Sequence, residues 1–325
     1  MRHNTNTIVA LLLGTLLTLG GLTPLYGQEL QENWWRTGKY DIEDVADPIY
    51  SLDEEYMSDM PNLYLPVGKQ GKLPVVIVTH GFGAKKEFMQ PTAELLASHG
   101  MLVLNYTAMD QKQPFQWLDG LIAAYTLLEG ENRRPGSKIY DRVDFERIGL
   151  LGHSMGAAGV LHIAAMEKPN GLRGKIKTVV SMMPYHGTTN FLLEAFAGGK
   201  DKLGCDISAT PNATLIISAE QDPTNEPIGG YEFYQTLKTN KRVFFSLKGA
   251  AHIDWMNKSG INSKYYPVAM PVITAWMLTY LCGETQYESY FKEGGLYFEK
   301  WVRQTLKGNR KVGRGEFPAF EIKEP

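Results

Sequence analysis

Ser154 stands between two glycines in Gly152-His153-Ser154-Met155-Gly156. Glycine, any residue, serine, any residue, glycine is the pattern of a nucleophile elbow when a strand precedes it and a helix follows. Residues 147–151 read as a strand and 155–166 as a helix, so the context is present. A serine hydroxyl is a weak nucleophile at neutral pH and needs a base. His252, in KGAAHIDW, follows the strand-like run 242–247 and is the candidate base. A base needs an acid that orients it and stabilises its imidazolium. Asp222, in TLIISAEQDP, follows a strand end between the serine and the histidine, in the chain order this chemistry adopts on strand–helix sheets. Glu220 is the nearest rival acid and Asp206 a distant one. His80 and His153 lie in other loops of the site, His162 lies inside a helix, and His186 comes too early in the chain. Asp254 reads as a local capping or surface group.

Attack on a carbonyl also needs donors for the oxyanion. His80-Gly81-Phe82-Gly83 directly follows the first buried strand, and its glycines let backbone N–H groups turn toward a substrate. The expected donors are the N–H groups of Phe82 and Met155, the latter being the residue after the nucleophile. These parts make an acyl-transfer site that needs no metal and no organic cofactor. Each part also has a plain structural reading: a tight turn with an idle serine, a hydrogen-bonded histidine, an ordinary glycine-rich loop.

The elements that must position these residues alternate. Strand patterns fall at 62–66, 74–79, 101–106, 147–151, 177–182, 213–218 and 242–247. Helical patterns fall at 91–98, 114–129, 155–166 and 268–281. Such alternation predicts an α/β fold with a mostly parallel central sheet and helices on both faces. Ligands on these sheets gather at the carboxyl ends of strands. Every candidate residue lies in a loop directly after one.

The whole chain of 325 residues is 43% hydrophobic and 21% charged, which suits a globular catalytic domain. A net charge of −2 gives no reason to expect nucleic acid as a partner. Arg2 and His3 precede an apolar stretch over 8–22, then Gly27 and Gln28. A basic start, a short apolar core and a small residue before a polar one predict a signal peptide over 1–27, and hence a secreted or periplasmic enzyme with no stable membrane span after removal. An uncleaved anchor is the alternative. Residues 28–60 read as an extended lead-in, 61–294 as the catalytic domain, and 295–325 as a basic, solvated extension. Cys205 and Cys282 allow one disulfide or two buried thiols, and the spacing leaves both open.

Several stretches together resemble the bacterial cutinases and polyethylene-terephthalate hydrolases, in the dienelactone-hydrolase-like branch of the α/β-hydrolases. THGFGAKKEF and LASHGMLVLNY are similar to their oxyanion loop, helix and second strand. SKIYDRVDFERIGLLGHSMGAAG is similar to their elbow, SAEQDPTNEP to their acid loop, GAAHIDW to their histidine loop and AWMLTYLCGETQYESYF to their last helix. The resemblance runs from about residue 60 to about residue 295. It implies an exported serine hydrolase of carboxylic esters, polymeric or lipid, with Ser154, Asp222 and His252 as triad and Phe82 and Met155 as oxyanion donors. It also implies an aromatic clamp on the substrate, made by the Phe82 ring and by Tyr185, which stands where the family usually has tryptophan. His186 lines the cleft beside it. The stretch from Ser154 to Asp222 is longer than the family's, and the extra residues include 191–205, so a lid over 190–206 is an open question. Cys282 reads as part of the last helix, and no cysteine in the tail supports the family's terminal disulfide. The alternatives are a small-ester or lipid acetylhydrolase resembling platelet-activating-factor acetylhydrolases, a carbohydrate acyl esterase, or a non-catalytic binding protein on the same scaffold.

Overall fold

The structure is a computed structural model that describes residues 33–45, 56–109, 111, 115–167, 171–186, 207–210, 212–254, 264–291, 309–312, 315–318 and 320–323. The expected signal peptide, Cys205, Asp206 and the 190–206 lid all lie outside the described residues.

Residues 73–79, LPVVIVT, are apolar or β-branched without interruption and form β3 (Leu73–Thr79), buried along its whole length. A strand covered on both faces has no solvent side on which to alternate, so its sequence reads as a continuous run. The same holds for β4 (Leu102–Tyr106), β6 (Thr178–Met182) and β7 (Ala213–Ala219). With β5 (Val143–His153) and β8 (Arg242–Leu247) they build the parallel centre of a nine-stranded sheet, in the order β4-β3-β5-β6-β7-β8. Antiparallel strands finish both edges. β1 (Ile42–Asp44) and β2 (Asn62–Pro66) lie outside β4, and β11 (Phe320–Lys323) lies outside β8. A separate hairpin joins β9 (Asn309–Val312) to β10 (Gly315–Pro318). The helices are α1 (Gln90–Ser98), α2 (Phe115–Arg133), α3 (Met155–Ala165), α4 (Pro227–Thr236) and α5 (Tyr266–Tyr280). This is the α/β-hydrolase architecture.

The central helix α3 has no polar face. Every residue from Met155 to Ala165 is buried, His162 included. A helix that is apolar all round belongs inside the molecule. It therefore brings the start of its first turn, where Ser154 stands, to a site walled by protein.

Two sequence expectations need correction. The tail was expected to be a solvated extension, but 320–323 pairs with β8 in antiparallel register, Phe320 opposite Phe245 and Lys323 opposite Arg242. Four alternating residues among charges are too short a pattern to stand out as a strand. Cys282 is not within the last helix: α5 ends at Tyr280 with Leu281 as its cap, and Cys282 follows with a free thiol. Burial pushes that thiol up to about 12. The lead-in is also more ordered than a plain extended segment, since β1 pairs with β2 and Met57 bridges Ala108.

The tail strand carries a testable consequence. Deleting 319–325 would leave β8 as a bare edge, a template for pairing with other chains. Four residue pairs at about 0.5–1.5 kcal/mol net per hydrogen bond imply a loss of about 2–6 kcal/mol. Urea unfolding of the truncated chain should show that loss, and light scattering should show new self-association. An unchanged midpoint would mean that the strand contributes nothing.

Candidate active site

Five neighbouring strands of the sheet, β3, β5, β6, β7 and β8, end at the loops that hold Phe82, Ser154, Tyr185, Asp222 and His252. Parallel strands put all these loops on one edge of the sheet.

Ser154 sits between β5 and α3 with φ 56° and ψ −118°. Few non-glycine residues adopt that region, and those that do cluster at sites where the surroundings enforce it. Here three backbone bonds enforce it. The Ser154 N–H donates to Met182 O at 2.9 Å, and Ser154 O accepts from Ala158 N and Tyr185 N, each at 3.1 Å. The flanking glycines are required by close approach. A Cβ at Gly152 would stand 2.3 Å from Gly156 O. One at Gly156 would stand 2.4 Å from His80 O, so the second glycine admits the His80–Gly83 loop against the elbow.

Asp222 is buried, and its carboxylate is fully used. Oδ1 accepts from the N–H groups of Thr224 and Asn225, both at 2.8 Å. Oδ2 accepts from His252 Nδ1 at 2.6 Å. That bond places the Nδ1 proton toward the acid and leaves Nε2 as the face that can take a proton. Glu220, the rival acid, instead accepts from Gly249 N at 2.8 Å and so anchors the histidine loop. Asp254 accepts from Ala251 N at 2.9 Å, within that loop. Ser154 Oγ takes a hydrogen bond from Asn225 Nδ2 at 3.3 Å. No direct bond joins Oγ to the His252 ring among the described residues, and such bonds are often long before substrate binds.

His153, beside Ser154, fastens the loop that carries His252. Its Nε2–H donates to His252 O at 3.0 Å, and the two ring centroids are 4.5 Å apart. Burial, reinforced by the neighbouring His252, holds the His153 imidazole well below its ordinary range, so it stays neutral.

The His80–Gly83 loop is pinned from the segment after β4 and from α2. Ala108 N–H donates to His80 Nε2 at 3.0 Å, so His80 Nδ1 carries the proton and donates to Gly81 O at 2.7 Å. Trp117 Nε1 donates to His80 O at 2.7 Å. Gln111 bridges the far side of the loop, accepting from Gly83 N at 2.6 Å and donating to Ala84 O at 2.8 Å. Among the described residues, the N–H groups of Phe82 and Met155 bond to no other protein group. Gln111, Trp117 and Asn225 escaped sequence reasoning. Gln111 and Asn225 in loops and Trp117 in the first turn of α2 carry no spacing signature, and their partners lie far away in the chain.

The two residues expected to form an aromatic clamp differ in exposure. The Phe82 side chain is 37% exposed and offers a ring at the surface. Tyr185 is 3% exposed and belongs to the main hydrophobic core. The cause lies in the backbone. Met183 turns the chain at φ 49°, with its N–H on Ile217 O, and the Tyr185 N–H is tied to Ser154 O. His186 is half-buried, packs edge-on against Phe233 at 4.7 Å, and holds its Nδ1 3.3 Å from Glu232.

Residues 58–298 match the family described as PET hydrolase-like. The chain belongs to that family. Relatives include Cutinase 1 of Thermobifida cellulosilytica, 26% identical over 77% of this chain and 88% of the relative. A cutinase of Thermobifida fusca is also 26% identical, over 77% of this chain and 76% of the relative. A bis(hydroxyethyl) terephthalate hydrolase of Streptomyces coelicolor is 25% identical, over 85% of this chain and 82% of the relative. Family membership covers all the loops described above, from the Phe82 loop to the His252 loop.

Proposed function

We propose that this chain is an exported serine hydrolase that cleaves carboxylic esters of the polyester class through an acyl-enzyme. The observation that carries this reading is the 2.6 Å bond from His252 Nδ1 to buried Asp222, beside a serine at positive φ on a strand–helix elbow. Membership of the PET hydrolase-like family and relatives named for cutin and terephthalate esters support carboxylic-ester hydrolysis.

Ser154 Oγ attacks the acyl carbon while His252 Nε2 takes its proton. The carbonyl oxygen, now negative, is received by the N–H groups of Phe82 and Met155. His252 then gives the proton to the leaving alcohol. Water enters, His252 deprotonates it, and the acid departs as Ser154 Oγ regains a proton. Asp222 keeps Nδ1 protonated throughout and stabilises the imidazolium. The exposed Phe82 ring, on the residue whose N–H would receive the oxyanion, would give an apolar face for the acyl group. The basic start and short apolar stretch within 1–27 support export.

A fluorophosphonate probe should label Ser154 in the folded protein and leave Ser154→Ala unlabelled. Turnover should then be measured on p-nitrophenyl esters of increasing chain length, bis(hydroxyethyl) terephthalate and a polyester film. Hydrolysis of the terephthalate ester is expected. Absence of labelling would sink the serine mechanism, and activity on acetyl esters alone would move the reading to a small-ester acetylhydrolase.

A further inference from the structure

One buried amide touches the nucleophile and has no part in the reaction as written so far. Asn225 is 2% exposed and lies three residues after the acid. Its N–H donates to Asp222 Oδ1 at 2.8 Å, so the turn that seats the acid also aims this side chain. Nδ2 donates twice, to Met183 O at 2.7 Å and to Ser154 Oγ at 3.3 Å. The first bond settles the orientation of the amide. Turned over, Oδ1 would face a carbonyl oxygen and be repelled. Met183 is itself anchored, through its N–H on Ile217 O at 2.6 Å. The second N–H of the amide is therefore directed at the nucleophile. Oδ1, meanwhile, is buried with no hydrogen-bond partner among the described residues. A buried amide kept half-satisfied beside a reacting atom points to a role in function rather than in stability.

We propose that Asn225 is a catalytic residue of this site, donating from Nδ2 to Ser154 Oγ and stabilising the negative charge that gathers there during acylation. The inference rests on Ser154 being the nucleophile. The serine oxygen has one hydrogen and two lone pairs. Asn225 holds one lone pair, which leaves the O–H for His252 and the other pair for the acyl carbon. In the step itself the Ser154 O–H bond breaks and its proton passes to His252 Nε2. The Oγ–carbon bond forms, and the carbonyl π pair moves onto the oxygen facing Phe82 and Met155. Asn225 gives up no proton. Its hydrogen bond is strongest when Oγ is most alkoxide-like and weak once Oγ is an ester oxygen. It therefore speeds formation of the acyl-enzyme more than water's attack on it.

The test is pre-steady-state hydrolysis of a p-nitrophenyl ester, with fluorophosphonate labelling rates, on wild type, Asn225→Ala and Asn225→Asp. The alanine variant should acylate and label about 10–100-fold more slowly, with deacylation within about twofold of wild type. The aspartate variant keeps the shape but turns a carboxylate oxygen toward Oγ, so at pH 8 it should be slower than the alanine variant. It also keeps the question answerable if the alanine variant fails to fold. Labelling of a folded variant at the wild-type rate would overturn the inference. So would an equal loss in both half-reactions, which would mark a purely structural role. Wild type that fails to label at Ser154 would overturn the nucleophile reading itself, and this inference with it.

Discussion

Ser154→Ala should lower ester turnover by about 10⁴–10⁶-fold while leaving the protein folded. The change removes one oxygen and keeps the Cβ, so the crowded elbow is undisturbed. The backbone bonds of Ser154 to Met182, Ala158 and Tyr185 do not involve the side chain. What is lost is the nucleophile, and with it the use of the whole relay. His252→Ala should cost a similar factor, because an unactivated hydroxyl at neutral pH does little. Asp222→Asn should cost less, since the ring and hydroxyl remain, but Nδ1 loses the carboxylate that fixes its proton. The decisive measurement is the double variant of Ser154 and His252. Groups that act as one unit are far from additive, so the double variant should be no slower than either single one. Multiplying losses would show that the two residues act separately. A melting temperature within a few degrees of wild type would confirm that chemistry, not folding, was removed.

The second large effect is on stability in acid. His80, His99, His153, His162 and His186 are all held below the ordinary histidine value, with burial as the largest cause in each. His162 is lowered to about 4 by burial on α3 and by the charge on nearby His186. The unfolded chain keeps the ordinary value of about 6.5. Below that pH the unfolded state binds protons that the folded state refuses, so stability falls as pH falls. For His162 the loss spreads from about pH 6.5 down to about pH 4 and totals about 3 kcal/mol. The other four histidines add to it in the same direction. Above pH 7 none of these groups contributes any slope. Urea midpoints at pH 7.5, 6, 5 and 4.5 should therefore drop progressively. His162→Gln should flatten the slope between pH 6 and 4.5 by close to one proton, whatever it does to stability at pH 7.5. A variant slope identical to wild type would mean that His162 takes up its proton in the folded state.

The sheet centre was legible because its strands are continuous apolar runs, and β8 falls at 242–247 as its sequence pattern has it. β5 was read as 147–151 but spans Val143–His153. Its first half, VDFER, is only partly buried, and a register shift against β3 separates it from the core half. Helix α4 was not foreseen, since the adjacent glycines Gly229 and Gly230 weaken its helical pattern. The tail strand escaped for another reason: an added edge strand is defined by its neighbour, and four residues carry too little periodicity of their own.

The amino-acid sequence by itself determined the α/β order of elements and the candidate residues Ser154, Asp222 and His252, together with the HGFG loop. Each of these has a local signature, a glycine spacing or a position just after a strand. Tertiary structure alone decided how they are held. It buried Tyr185 in the core and left Phe82 as the exposed ring. It assigned Glu220 to the histidine loop, Gln111 to the oxyanion loop and Asn225 to the nucleophile. The reason is physical. A motif records what a residue's near neighbours permit, whereas hydrogen-bond partners 29, 28 and 71 positions apart are chosen only when the strands between them align.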